Sequence, residues 1–304
     1  MKKLFTAHRA EREIFILLQG GLGNQLFQLS AGLALHNSTT QSVKFDDTFL
    51  SVGKRNLIRA KSTPRDLAIG SILSENEQVR TGLAGLALHR FASVLDSSIW
   101  INESRPDENL LQRVSHKTKV VNGYFQRFDI PESVKAELIL RFSNSEEWSP
   151  IINSTENNDL AIHIRFGDYR SNPTTRKYHG LTDISYFSKS AKLLISRNDF
   201  EKLVIYSDDP EAAYREFCSE LGEIKIPIIR HHPISAIHDL TAMTSSKGLI
   251  MSNSTFSWWA AWFKSLRSTK NIVFPTPWYS EPSRAEFVLI GTDWEKVERT
   301  FSIQ

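Results

Sequence analysis

The sequence predicts an α/β protein of two domains, and three observations carry that prediction. Short apolar strands alternate with amphipathic helices throughout the second half, which is the pattern of a Rossmann-like parallel sheet. The first half opens the same way, with a strand, a glycine-rich turn and a helix. The length of 304 residues, with 40% apolar and 23% charged side chains, is enough for two buried cores.

The first domain is predicted over residues 1–150. It begins with a strand over Glu13–Leu18, the loop GGLG, a helix from Asn24 to about Leu35, and a second strand over Val43–Phe45. It then loosens: Lys54–Arg65 and Ser97–Lys119 are rich in polar and breaker residues, with a helix predicted over Glu75–Leu95 between them. The segment Asn144–Asp159, with its Ser, Asn, Glu and Pro150, is the predicted linker. The second domain, residues 151–304, is predicted with strands over Leu160–Ile164, Leu203–Tyr206, Lys225–Ile229, Gly248–Met251 and Ile272–Phe274. Helices over Ile184–Arg197, Glu211–Leu221, Ala236–Thr244 and Phe256–Leu266 separate them. Strands spaced by helices of this length require right-handed crossovers.

The 37 basic and 34 acidic residues leave a formal charge of +3, a mild bias towards anionic ligands that does not argue for nucleic acid. That charge permits contact with a membrane surface without requiring it. Cys218 is the only cysteine, which rules out an intramolecular disulfide and any multi-cysteine metal site and fits a reducing, cytoplasmic compartment. The N-terminus places Glu11, Arg12 and Glu13 before a short apolar run, unlike a signal peptide. No stretch approaches the roughly 20 apolar residues of a membrane span. Asn-x-Ser/Thr triplets at Asn37, Asn153 and Asn253 are read as chance or polar caps.

Four motifs carry chemistry. HIRFGDY, His163–Tyr169, brings Arg165 to the tip of an apolar strand, where a guanidinium fork can pair two phosphoryl oxygens or cap a neighbouring carboxylate. GGLGNQLFQ, Gly20–Gln28, is a strand-to-helix turn with Asn24 as the predicted N-cap. As a dinucleotide fingerprint it is incomplete, with Leu26 in place of the third glycine, although Asp46 could serve as a ribose acid. YSDDP, Tyr206–Pro210, invites a metal, but Asp209 before Pro210 is a helix start; Asp208 is then left to orient a base or a ligand hydroxyl. In MSNSTFSWWAAW, Met251–Trp262, hydroxyls at a helix start form a phosphate cradle, while Trp258, Trp259 and Trp262 fall at core spacing.

In content and order these blocks, together with NGYFQRF at Asn122–Phe128, resemble the bacterial α-1,2-fucosyltransferase family over roughly residues 20–277. The resemblance implies a GT-B-like fold, two Rossmann-like domains facing a cleft. It also implies an inverting galactoside 2-α-L-fucosyltransferase that takes GDP-β-L-fucose and a galactose-containing oligosaccharide acceptor, with no metal and no other cofactor. It gives Arg165 the β-phosphate, His163 the nucleotide or the orienting of that site, Asp239 the guanine, and Ser254, Thr255 and Ser257 the surroundings of the phosphates. Gly21, Gly23 and Asn24 are given the transferred sugar. The family pattern is His-x-Arg-Arg; here Phe166 stands second, which implies a pocket adapted to an aromatic.

Departure of GDP ahead of nucleophilic attack, leaving a comparatively stable fucosyl oxocarbenium ion, gives a base little to do. Asp168 is the nearest candidate base, and equally a partner of Arg165 or of a backbone N–H. A transferase with another donor or acceptor position, a non-catalytic glycan-binding module and a nicotinamide oxidoreductase are the alternatives.

Overall fold

The computed structural model describes residues 12–39, 41–53, 65–103, 110–167, 170, 176–177, 179–280, 291 and 293–300. It divides into two compact units, Met1–Leu138 and Ile139–Gln304, each built on a parallel sheet.

In the first unit the strands are β1 (Glu13–Leu17), β2 (Ser42–Asp46), β3 (Gln78–Val79), β4 (Trp100–Asn102) and β5 (Val120–Asn122), in the order β3-β2-β1-β5-β4. The helices are α1 (Leu22–Ser38), α2 (Thr48–Gly53), α3 (Gly82–Leu95) and α4 (Asp129–Ser133), with α5 (Lys135–Asn144) running across the boundary. The predicted helix over Glu75–Leu95 is shorter than expected. Gly82, at φ +76, opens α3, and the residues before it pair as β3 beside β2. Asn24 is not the N-cap of α1 either. That position is Gly21, and Asn24 lies inside the first turn.

The second unit has α6 (Ser149–Asn153), β6 (Asn157–Ile164), α7 (Ile184–Ile195), β7 (Leu203–Ser207), α8 (Pro210–Leu221), β8 (Ile228–Arg230) and α9 (Ala236–Thr244). It continues with β9 (Ser246–Ile250), α10 (Thr255–Ser265), β10 (Ile272–Thr276) and β11 (Glu295–Glu298). The sheet order is β11-β10-β9-β6-β7-β8, with every pair parallel. From β6 the chain winds out through β7 and β8, then returns to build β9, β10 and β11 on the other side. This is the doubly wound arrangement, and its switch point lies between β6 and β9. Strand β6 is buried from Asp159 to Ile164, as a strand covered on both faces must be.

The predicted linker is instead structured: it holds α6 and the first residues of β6. The units divide before it, at Leu138, because the segment that follows packs into the second core. Phe142 stacks on Trp148 and meets Phe263 of α10 edge-on. The tryptophans of α10 are core, as their spacing predicts: Trp258, Trp259 and Trp262 are fully buried and pack edge to face.

Candidate functional site

The C-terminal ends of β6, β7, β8 and β9 converge on one set of side chains. His163 is the second-last residue of β6 and Arg165 follows the strand. Asp208 follows β7, His231 follows β8, and the loop Met251–Ser254 joins β9 to α10. In a doubly wound sheet this end of the switch point is where ligands bind.

Arg165 pairs with Asp208 at 2.8 Å, both side chains about a quarter exposed. The other oxygen of Asp208 accepts the Phe166 N–H at 2.9 Å. Asp208, which the sequence left to orient a base or a ligand hydroxyl, here fixes the guanidinium. Gly167 allows this arrangement, since at φ +26 a Cβ would sit 2.3 Å from Asp208 Oδ2 and 2.9 Å from the guanidinium. Phe166 points away from the site into the apolar cluster with Ile162, Ile164 and Phe187. It fills core rather than a ligand pocket, and the Arg170 guanidinium lies 3.8 Å over its ring while pairing with Glu216 of α8.

His163 is 5% exposed, and burial together with the nearby Arg165 charge pushes its pKa down to about 3, so the ring is neutral. Its Nδ1 lies 2.9 Å from Ser252 Oγ, across the switch point. Ser257 Oγ lies 3.0 and 3.1 Å from the carbonyl oxygens of Ser252 and Ser254 and 3.3 Å from Ser252 Oγ, so a chain of hydroxyls ties the ring to the loop. Ser257 is itself fully buried and braces the loop rather than facing a ligand. Ser254 caps α10 through the Phe256 N–H, and Thr255 opens the helix, so the first-turn N–H groups suit an anion.

Asp239, near the start of α9, accepts from His231 Nε2 at 2.7 Å, and His231 lies against the Tyr206 ring. Among the described residues, every partner of this carboxylate falls on Oδ1. His231, His238 and Asp239 each bring one donor atom to within 4.8 Å of the others, a set that could accept a cation. Asp168 lies outside the described residues.

Sequence reasoning missed the bracing of this loop. Asn253, 2% exposed, donates to the carbonyls of His179 and Trp278 and accepts from Thr182. Arg299, 4% exposed, binds Thr182 and the carbonyls of His179 and Trp278. These partners lie far apart in sequence and leave no local signal.

In the first unit the turn after β1 is held by amides. Gln25 donates to the Gly20 and Asp66 carbonyls and accepts from the Ala68 N–H; Gln28 accepts from the Gln19 N–H and donates to the Gly123 carbonyl. Gln126 donates to Asn24 Oδ1 at 3.0 Å. The segments GGLGNQLFQ and NGYFQRF thus form one unit of structure. Gly20, at φ +78, is required there, because a Cβ would meet Asn24 Nδ2 at 2.4 Å; at Gly21 a Cβ meets nothing within 4 Å. Gly23 is buried in the first turn of α1. Asp46 is fully buried and binds the Thr48 N–H and hydroxyl, so it cannot serve as a ribose acid.

Residues 106–296 match the profile of Glycosyl transferase family 11. The chain is similar to the O-antigen biosynthesis glycosyltransferase WbnK of Escherichia coli, 26% identical over 91% of this chain and 98% of that protein. It is also similar to an Escherichia coli α-1,2-colitosyltransferase, 27% identical over 93% of this chain and 98% of that protein. Among solved structures, a GDP complex of a mutant Arabidopsis thaliana FUT1 matches with a TM-score of 0.45 and 12% identity, over 84% of this chain and 68% of that one. Escherichia coli heptosyltransferase WaaC with ADP matches with a TM-score of 0.42 and 11% identity, over 94% of this chain and 93% of that one.

Proposed function

The chain belongs to glycosyl transferase family 11, and on that premise we propose that it moves L-fucose from GDP-β-L-fucose to the 2-hydroxyl of a terminal galactose in a cell-surface glycan, inverting the anomeric carbon. The observation that carries this reading is Arg165, held by Asp208 on the tip of β6 beside the hydroxyl-lined start of α10. The relative named for α-1,2-colitosyl transfer supports the α-1,2 linkage, and the one named for O-antigen biosynthesis supports a surface-glycan acceptor.

As the bond from C1 to the phosphate oxygen lengthens, GDP gathers negative charge, and donors already aimed at it stabilise the transition state more than the ground state. Arg165 and the first N–H groups of α10, with Ser254 and Thr255, are those donors. His163 is neutral and serves the nucleotide as a hydrogen-bonding partner or orients that site, rather than acting as an acid. Asp239 Oδ2 takes the N–H edge of guanine while His231 steadies Oδ1. The resemblance assigns Gly21, Gly23 and Asn24 to the transferred sugar. The acceptor 2-hydroxyl attacks C1 and loses its proton, with Asp168 as candidate base, and GDP departs without a metal.

Incubation with GDP-fucose and a lactose-type acceptor, followed by linkage analysis, is expected to give an α-1,2 product at a rate insensitive to chelator. Transfer only from a UDP- or dTDP-sugar would overturn the donor assignment. The relative's name makes a colitose donor the second reading, and a tenfold preference for GDP-colitose over GDP-fucose would favour it. Loss of activity with chelator would instead direct attention to His231, His238 and Asp239.

A further inference from the structure

The first unit presents an apolar ridge that its own core does not use. Helix α3 reads GLAGLALHRFASVL, with no acidic residue. Its inner face packs on the sheet through Leu86, grouped with Leu17 and Val120, and through His89 against Phe15. The outer face is apolar as well. Leu88 is 71% exposed, Phe91 73%, Val94 80% and Leu95 86%. An ordinary surface helix would carry charges at those positions. Between this ridge and β4 lies an open hollow of about 750 Å³, lined by Phe91 and Val94 with Arg90, Trp100 and Arg113.

From this we infer that α3 and the hollow beside it are a docking surface for an anionic lipid bilayer, with the ridge lying in the interface plane. The charges around the ridge decide the partner. The Arg90 guanidinium lies 5.6 Å over the Trp100 ring, and Arg113 is exposed. Asp96, at the end of α3, is already held by Ser98 and by Lys117 at 3.1 Å, and Glu103 caps the N–H groups of Tyr124 and Phe125. An apolar stripe of Leu, Phe and Val, bordered by an indole and by exposed arginines, with the carboxylates of Asp96 and Glu103 already engaged, has the composition of an interfacial helix. Among the described residues no helix is long and apolar enough to cross a bilayer, so the contact is peripheral. It places the protein beside membrane-borne glycans whatever sugar it transfers.

The test is co-sedimentation of the whole chain with vesicles of equal parts phosphatidylglycerol and phosphatidylcholine, and with phosphatidylcholine alone. The wild type is expected to bind the anionic vesicles and to leave them as salt is raised. Leu88→Glu with Phe91→Glu should weaken that binding at least about tenfold, and Arg90→Glu with Arg113→Glu by about 25-fold or more, from roughly fivefold per lost positive charge. Leu88 and Phe91 are exposed, so in that pair unfolding temperature and turnover on a soluble acceptor should stay at wild-type values, and thermal unfolding checks that the arginine pair remains folded. The proposal fails if the wild type does not sediment with anionic vesicles, or if neither pair of substitutions weakens binding. It also fails if sedimentation velocity shows a dimer that the ridge substitutions convert to monomer, which would make a second copy the occupant.

Discussion

Arg165 could serve two roles, and they predict different numbers. As half of an ion pair with Asp208, about a quarter exposed at each end, it would contribute about 0–1 kcal/mol to folding and nothing to turnover. As a fixed donor to the leaving diphosphate it would contribute about 2.7–4 kcal/mol to the transition state, which is about 10²–10³ in kcat. A double-mutant cycle separates the roles. Arg165→Ala removes the donor. Asp208→Asn removes only the partner's charge and keeps an acceptor for the Phe166 N–H. Asp208→Asn is expected to lower kcat by about tenfold or less, because the guanidinium survives but is less well aimed. Its GDP affinity should hold or rise, since the arginine is no longer neutralised. Arg165→Ala should lose the full factor, and adding Asp208→Asn should cost little more, as for residues acting as a unit. Single-turnover kinetics with GDP-fucose measures the step directly, and thermal unfolding checks the fold. If Arg165→Ala keeps kcat within about threefold of wild type, or if both single variants lose equally, the arginine is structural and the phosphate assignment falls.

The adjacent glycines of the first turn should separate in the same way. Gly20→Ala meets Asn24 and an unfavourable φ and should destabilise by about 1–2 kcal/mol in denaturant unfolding; Gly21→Ala should leave stability unchanged and lower activity where a sugar approaches the backbone. Unchanged activity in Gly21→Ala would remove that turn from the site. For His163 the folded pKa is depressed to about 3, from an unfolded value near 6.5. The unfolded chain therefore binds the proton first, and stability falls as pH drops through that window by up to one proton, about 1.4 kcal/mol per pH unit. His163→Gln should show a shallower acid slope between pH 6.5 and pH 3, and a slope equal to wild type would contradict the buried neutral ring. Phe166→Arg, the change that restores the family's arginine pair, should destabilise by about 3 kcal/mol or more, because the new charge enters an apolar cluster under the Arg170 guanidinium. An equally stable and more active variant would show that position 166 can turn into the site.

What was legible in the sequence was whatever depends on neighbours along the chain. The apolar run ending at His163 and Arg165 predicts a strand tip, and Asp209 before Pro210 predicts a helix start; α8 is capped in that way, with Asp209 accepting from Ala212 N–H. Periodicity also placed the tryptophans of α10 in the core. What failed was decided by partners far away. Residues 75–81 continue a helical pattern on paper, yet Gln78 and Val79 pair with β2 and Gly82 takes a left-handed turn, so tertiary pairing outweighs propensity. Asn24 has the chemistry of an N-cap, but Gln126 from another segment claims its side chain and Gly21 caps the helix instead. Asp208 looked available because its partner, Arg165, belongs to a different strand, and Arg299 carried no signal because its acceptors are spread from His179 to Trp278. The candidate site rests on the tips of adjacent strands, so the sequence could nominate its residues. It could not say which of them face the ligand and which hold the others still, because that division is made by hydrogen bonds between strands.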